Sequence, residues 1–196
     1  MGKGGLASSL DAVGLTRTSR IGFGDELRLG LRGTTRRVWG RRGVEVRQRL
    51  QLTSEWRDLF AAVAGQAGRV WWNWVPSMKA EALWPTIAGI QEDGLLDGLV
   101  WDDAPSHHDG DITDLALAFV GLPSYSPELN PAERLFEEIR RRFEGTTYAT
   151  LDAKLADGQT FLEELDADPP RLRRLCGWDW INAANATLPE PLANAA

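Results

Sequence analysis

A short apolar run, Leu99–Trp101, ends abruptly in Asp102 and Asp103, and this junction constrains the fold more than any other feature of the chain. A run of that length suits a strand covered on both faces, and an acidic end suits a site at the carboxyl edge of a sheet. Residues 116–120 (ALAFV) form a second run of the same kind. Asn130 then opens a helix, with an Asn N-cap, Pro131 at the first helical position and Glu133 three residues past the cap. Phe136, Ile139 and Phe143 line its core face. Upstream, Leu27, Leu29 and Leu31 alternate with Arg28, Gly30 and Arg32, and Val44, Val46, Leu50 and Leu52 alternate with Glu45, Arg47, Arg49 and Gln51. Such alternation predicts half-buried antiparallel strands with a cationic outer face, turned at Gly33 and at Gly40–Gly43.

Residues 70–75 (VWWNWV) read as a further strand. Ser54–Ala64 and Ser77–Gln91 read as helices, the second kinked or split by Pro85, and helical segments follow Asn130 to about residue 187. Strands, helix, buried strand, connection, buried strand and helices, in that order, predict a mixed α/β sheet with helices packed on it. The 196 residues suffice for one such domain, placed at 20–187. Residues 1–19 lack periodicity and read as a flexible leader, and the Pro/Ala-rich 188–196 as a frayed tail.

The net charge of −6 argues against a nucleic-acid partner until its distribution is considered. Between Arg17 and Arg49, ten arginines face only Asp25, Glu26 and Glu45. A local basic stripe meets the needs of phosphate contact whatever the total charge, although a solvated strand face has the same composition. One cysteine, Cys176, excludes an internal disulfide framework. No run of 18 apolar residues exists, Met1–Ser9 lacks an apolar signal core, and Leu6 stands where an N-myristoylation motif needs Ser or Thr. The expectation is a soluble, intracellular protein with no membrane partner.

Asp25, Asp102 and Glu133 are the acids placed for chemistry, and each also has an ordinary reading. An acid after a strand is commonly a turn residue, and a Glu in the first helical turn is commonly half of a capping box. His107 and His108, adjacent on a loop, do not have the spacing of a metal pair.

Together these residues fall in two longer motifs. Residues 99–107, Leu-Val-Trp-Asp-Asp-Ala-Pro-Ser-His, resemble the second-acid motif of mariner-like DDE transposases, usually hydrophobic–Asp–Asn–Ala–Pro–Ser/x–His. Residues 122–136 carry the family's third-acid pattern, Pro-x-x-Ser-Pro-x-Leu-Asn-Pro-x-Glu leading into an aromatic-bearing helix. Gly24-Asp25-Glu26, Gly30 and Arg37-Val38-Trp39-Gly40 through Gly43 resemble the bacterial insertion-sequence branch, so the likeness covers roughly residues 20–150.

The resemblance implies a ribonuclease H-like fold in which Asp25, Asp102 and Glu133 are catalytic and bind two Mg²⁺ or Mn²⁺ ions. Asp25 would bridge, with one ion each for Asp102 and Glu133. Asn130 and Pro131 would fix the helix that aims Glu133, and Pro123 and Pro127 would stiffen the loop before it. His107 would contact DNA or orient Asp102, and Asp103 would be an accessory acid. Arg36, Arg37, Arg41 and Arg42 would contact phosphates. The implied activity is DNA cleavage and strand transfer in cut-and-paste transposition, by a homodimer on transposon ends and target DNA in the bacterial cytoplasm, associated with the nucleoid.

Three features depart from the family pattern. Thirty residues separate Asp102 from Glu133, a short connection; Asp103 stands where Asn is usual; and nothing in residues 1–19 can form the family's end-reading helix-turn-helix. They keep two alternatives open: a catalytic half served by a separately encoded helix-turn-helix protein, and a decayed or truncated remnant that only associates with DNA. A ribonuclease H-like nuclease unrelated to transposition is disfavoured by the segment Ser126–Glu133, Ser-Pro-Glu-Leu-Asn-Pro-Ala-Glu.

Overall fold

A computed structural model of the chain describes residues 3–33, 39–102, 104–108, 110–123 and 126–191. Five strands form one sheet: β1 (Ile21–Gly30), β2 (Trp56–Ala64), β3 (Arg69–Val75), β4 (Gly98–Trp101) and β5 (Ala118–Gly121), in the spatial order β3-β2-β1-β4-β5. β2 is antiparallel to both β1 and β3, whereas β4 and β5 run parallel to β1. The sheet is therefore mixed and flanked by helices, as the element order predicts.

Alternation along β1 decides which helices lie where. Ile21, Phe23, Leu27 and Leu29 face one layer of the core, shared with α4 (Pro131–Phe143), α5 (Leu151–Asp166), α6 (Pro169–Cys176), α7 (Asp179–Ala186) and an N-terminal helix, α1 (Lys3–Ala12). Phe60, Ala62, Leu99 and Trp101 face the other layer, covered by α2 (Ala80–Glu92) and the short α3 (Gly110–Thr113). Close packing on that second face needs a residue without a side chain at Gly24, where a Cβ would stand 2.9 Å from Leu99 Cδ1.

Four expectations need correction. The leader expected at residues 1–19 contains α1, whose Leu6 and Leu10 are fully buried and which packs against α7. One Leu–Leu pair spaced i,i+4 among Gly and Ser is too little periodicity to reveal a helix, yet it suffices for docking. Residues 54–64 are largely strand β2 and not a helix, because the strand lies inside the sheet with both faces covered and loses its alternation. The second helix begins at Ala80 and runs as one element through Pro85.

The strand expected over Val44–Leu52 does not form: residues 39–55 make an arm without regular structure, on which Val44, Val46, Leu50 and Leu52 are exposed. Alternation alone does not make a strand, which also needs a neighbouring strand to complete its backbone hydrogen bonds. The root of the arm is tied by Leu31 N donating to Glu55 O (2.8 Å) and Gly33 N to Gln51 O (3.0 Å). Arg41 and Arg42 are exposed on this arm. Arg36, Arg37 and Asp103, and residues 192–196 of the expected tail, lie outside the described residues. Among the described residues, no helix is long and apolar enough to cross a membrane.

Candidate active site

The site begins with a register. β1 and β4 pair in parallel as Ile21↔Gly98, Gly22↔Leu99 and Phe23↔Val100. Continuing that register by two residues sets Asp25 level with Asp102. Side chains two apart share a face, so Asp25 follows Phe23 and Asp102 follows Val100 toward the layer that contains α4. The third acid, Glu133, lies in the first turn of α4, whose Ala132, Leu135, Phe136 and Ile139 are buried in that same layer. Two strands and one helix terminus thus carry the three predicted acids to one region.

Asn130 aligns the helix with the strand. It is 2% exposed, and its Oδ1 accepts from Ala132 N (3.0 Å) as the N-cap of α4. Its Nδ2 donates to Gly24 O (2.9 Å) and to Asp25 Oδ2 (3.1 Å). One buried amide therefore starts the helix, anchors it to β1 and touches the first acid. Asp25 Oδ1 accepts from Glu26 N at 2.8 Å. Burial pushes the Asp25 carboxyl up to about 7; the Glu26 N–H opposes this in part, and the carboxylates of Glu26, Glu133 and Asp102 raise it further.

Asp102 is more open to solvent, but its Oδ1 accepts from Ala104 N (3.1 Å) and lies within ion-pair distance of His107 Nδ1 (3.1 Å). His107 is only 4% exposed. Its ring lies flat on Trp101, centroids 3.7 Å apart, with Nδ1 2.9 Å from Asp102 O and Nε2 3.1 Å from Glu26 Oε1. Burial lowers the imidazole pKa, but the bonds and charges of Glu26 and Asp102 outweigh it and raise the value overall.

Glu133 points along α4 toward its last turn, where Oε2 lies 3.4 Å from Arg140 Nη1. Among the described residues, no three or more His, Cys, Asp or Glu side chains converge closely enough to hold one ion. The donor set nevertheless fits a hard divalent cation: carboxylates only, with Asp25 pushed toward its neutral form first by burial and further by the other acids, a repulsion that a cation relieves. Glu133 would have to leave Arg140 to join it.

Two residues of this region were not singled out by the sequence reading. Glu26 was legible only as the neighbour of Asp25, yet two successive acids in a strand necessarily face opposite layers. Arg140, seven residues past Glu133, stands two turns along the same helix. Beyond it, a cavity of about 480 Å³ is lined by Arg28, Arg32, Arg140, Arg141 and Lys154, with Glu144 as its carboxylate.

A mixed sheet with acids at one helix start and two neighbouring strands now has a sequence counterpart: the model of the DDE superfamily endonuclease matches residues 20–153. The chain belongs to this family. No curated protein matches it by sequence. Among solved structures, the Mos1 transposase paired-end complex with left transposon end is similar at 17% identity and a TM-score of 0.65, over 92% of this chain and 58% of that one. The Mos1 mariner paired-end complex with Mn matches at 16% identity and 0.66, over 91% and 57%. The catalytic domain of Mos1 mariner transposase matches at 16% and 0.53, over 92% and 87%. This DDE-family chain therefore has the ribonuclease H-like fold of a transposase catalytic domain, and it spans a little over half the length of the Mos1 chains in those complexes.

Proposed function

We propose that this DDE-family chain is a transposase catalytic domain that cleaves DNA strands and transfers them in cut-and-paste transposition of an insertion sequence of the bacterial branch. The observation carrying the proposal is the parallel register of β1 and β4, which when extended by two residues sets Asp25 level with Asp102 just past the end of β4, with Glu133 at the start of the helix packed on that layer. Asp25, Asp102 and Glu133 would hold two Mg²⁺ or Mn²⁺ ions, Asp25 between them, and the similarity to a Mos1 complex with Mn supports this choice. Bound there, the cations supply Lewis acidity at the attacking and leaving oxygens of a phosphodiester. The chain's own residues do the positioning: Asn130 holds Asp25 and the helix start, Ala104 N holds one oxygen of Asp102, and His107 binds the Asp102 carbonyl beside it. Transposon ends and target DNA as partners, a homodimer on DNA, a separately encoded helix-turn-helix protein and a cytoplasmic, nucleoid-associated location belong to the same reading.

The test is nicking of labelled duplex with Mn²⁺. Wild type should cut, and Asp102→Ala and Glu133→Ala should lower the rate by about 10³-fold or more, the equivalent of ~4 kcal/mol, at unchanged folding. Cutting that survives both substitutions removes these acids from the mechanism. The contact between Glu133 and Arg140 favours a second reading, a remnant that associates with DNA without cutting it. Calorimetric titration of Mn²⁺ separates the two, since a remnant takes up no ion.

For DNA itself, the cationic cavity beyond Arg140 is the backbone-binding surface we assign, with exposed Arg41 and Arg42 on the arm, and Arg36 and Arg37 with them. Neutralised phosphates release counterions, so each lost contact flattens the salt dependence of binding by about 0.9 in log–log slope. Arg32→Ala with Arg141→Ala should reduce the slope by roughly 2 in anisotropy titrations over a salt series. An unchanged slope places the duplex elsewhere.

A further inference from the structure

We propose that Glu26 and His107 form a positioning pair that holds the Asp102 carboxylate from the opposite face of the sheet, an inference that rests on the assignment of Asp102 above. Glu26 lies between Asp25 and Leu27 on β1, so its side chain faces the layer of Phe60, Leu99 and Trp101, whereas Asp25 faces α4. An acid on that apolar side is costly to bury unless it is paired. Its side chain is 10% exposed, and its partner is the 2% exposed ring of His107, Nε2 to Oε1 at 3.1 Å.

The pair reaches the site through the other ring nitrogen. A backbone carbonyl only accepts, so Nδ1, 2.9 Å from Asp102 O, carries a proton. Nδ1 also stands 3.1 Å from Asp102 Oδ1, within ion-pair distance, and Ala104 N donates to that oxygen at 3.1 Å. Among the described residues no donor is placed on Oδ2. The carboxylate is thus gripped by one oxygen and offers the other. Stacking on Trp101 keeps the imidazole in plane, and Glu26 prevents the ring from flipping away from Asp102. Partners of a ligating group fix its orientation in this way, and removing them typically costs 10–100-fold in affinity or activity.

The experiment uses the whole chain with Glu26→Gln, His107→Ala and His107→Asn, and Asp102→Asn as reference. Asn puts an amide nitrogen where Nδ1 stands, so it restores the grip on Asp102 without the link to Glu26. Without metal, the side-chain carboxyl ¹³C resonance of Asp102 should move in Glu26→Gln and His107→Ala and return toward wild type in His107→Asn. With Mn²⁺, calorimetry should give affinity weakened about 10–100-fold in His107→Ala, less in Glu26→Gln, and partly recovered in His107→Asn. A purely structural role would lower the melting temperature of all three and leave the Asp102 resonance and the affinity of the folded fraction alone. Folded Glu26→Gln and His107→Ala proteins with an unmoved resonance and Mn²⁺ affinity within twofold of wild type overturn the proposal. If wild type itself takes up no Mn²⁺, the transposase reading fails, and the resonance alone decides the pair.

Discussion

Asp25→Asn is expected to make the protein more stable at neutral pH while removing metal-dependent cleavage. The folded-state value of about 7 lies above the ordinary 3.8 of an aspartate, so the folded chain keeps a proton that the unfolded chain has released between those values. Stability therefore falls as pH rises from about 4 to 7, and the full penalty is present above 7. The displacement corresponds to roughly 4 kcal/mol before any relaxation. Asparagine forfeits about 1 kcal/mol, because its amide cannot accept from both Glu26 N and Asn130 Nδ2. The net gain should be roughly 2 kcal/mol at pH 8, or about 4–8 °C in melting temperature. Cleavage should drop on the order of 10³-fold through loss of the shared ligand. Thermal denaturation of both proteins across the pH range checks this: the gap must be wide at pH 8 and close below pH 4. A gap that ignores pH shows that Asp25 is not charged against its surroundings.

The second large effect falls on Asn130. Replacement by Ala removes the acceptor for Ala132 N, worth about 1 kcal/mol, and the donor on Gly24 O inside the protein, worth about 1–3 kcal/mol. A loss of roughly 3 kcal/mol in urea denaturation is expected, with Mn²⁺ binding weakened beyond what unfolding explains, because Asp25 loses its fixed partner. Asn130→Asp separates the contributions. It keeps the helix cap, gives up both Nδ2 bonds and sets a further carboxylate beside Asp25. It should regain part of the stability and none of the site's order. If Asp restores metal binding as well as the cap, the amide of Asn130 has no part in holding Asp25.

Much of this geometry was legible in advance because its signals are local. An Asn-Pro step ahead of an amphipathic run starts a helix by its own chemistry, so α4 and the place of Glu133 follow from a few residues. The short apolar runs became β4 and β5 for the same reason, and 70–75 became β3. What escaped depends on partners. β2 has no alternation to read, since the sheet covers it on both sides. Val44–Leu52 alternates clearly yet forms no strand, because a strand depends on a partner that alternation does not encode. Helix α1 docks through two leucines that periodicity cannot distinguish from a polar leader. In the site itself, motif position named Asp25, Asp102 and Glu133, but the bond from His107 to Glu26 spans 81 positions. The pairing of Glu133 with Arg140 depends on a rotamer choice, which no pattern of residue types encodes.

The adjacent acids of β1 have a consequence for how the protein tolerates change. A strand offers its side chains alternately, so sliding β1 by one position against β4 would still present a carboxylate to either layer. Only one setting, however, lets Asn130 grasp Asp25 while His107 grasps Glu26. The two contacts inspect the same alignment from opposite sides. Insertions or deletions of a single residue in β1 are thus rejected at two places at once, whereas the arm at 39–55 is aligned by little beyond the bonds at its root. Length can drift in the arm over evolution; along β1 it is quantised.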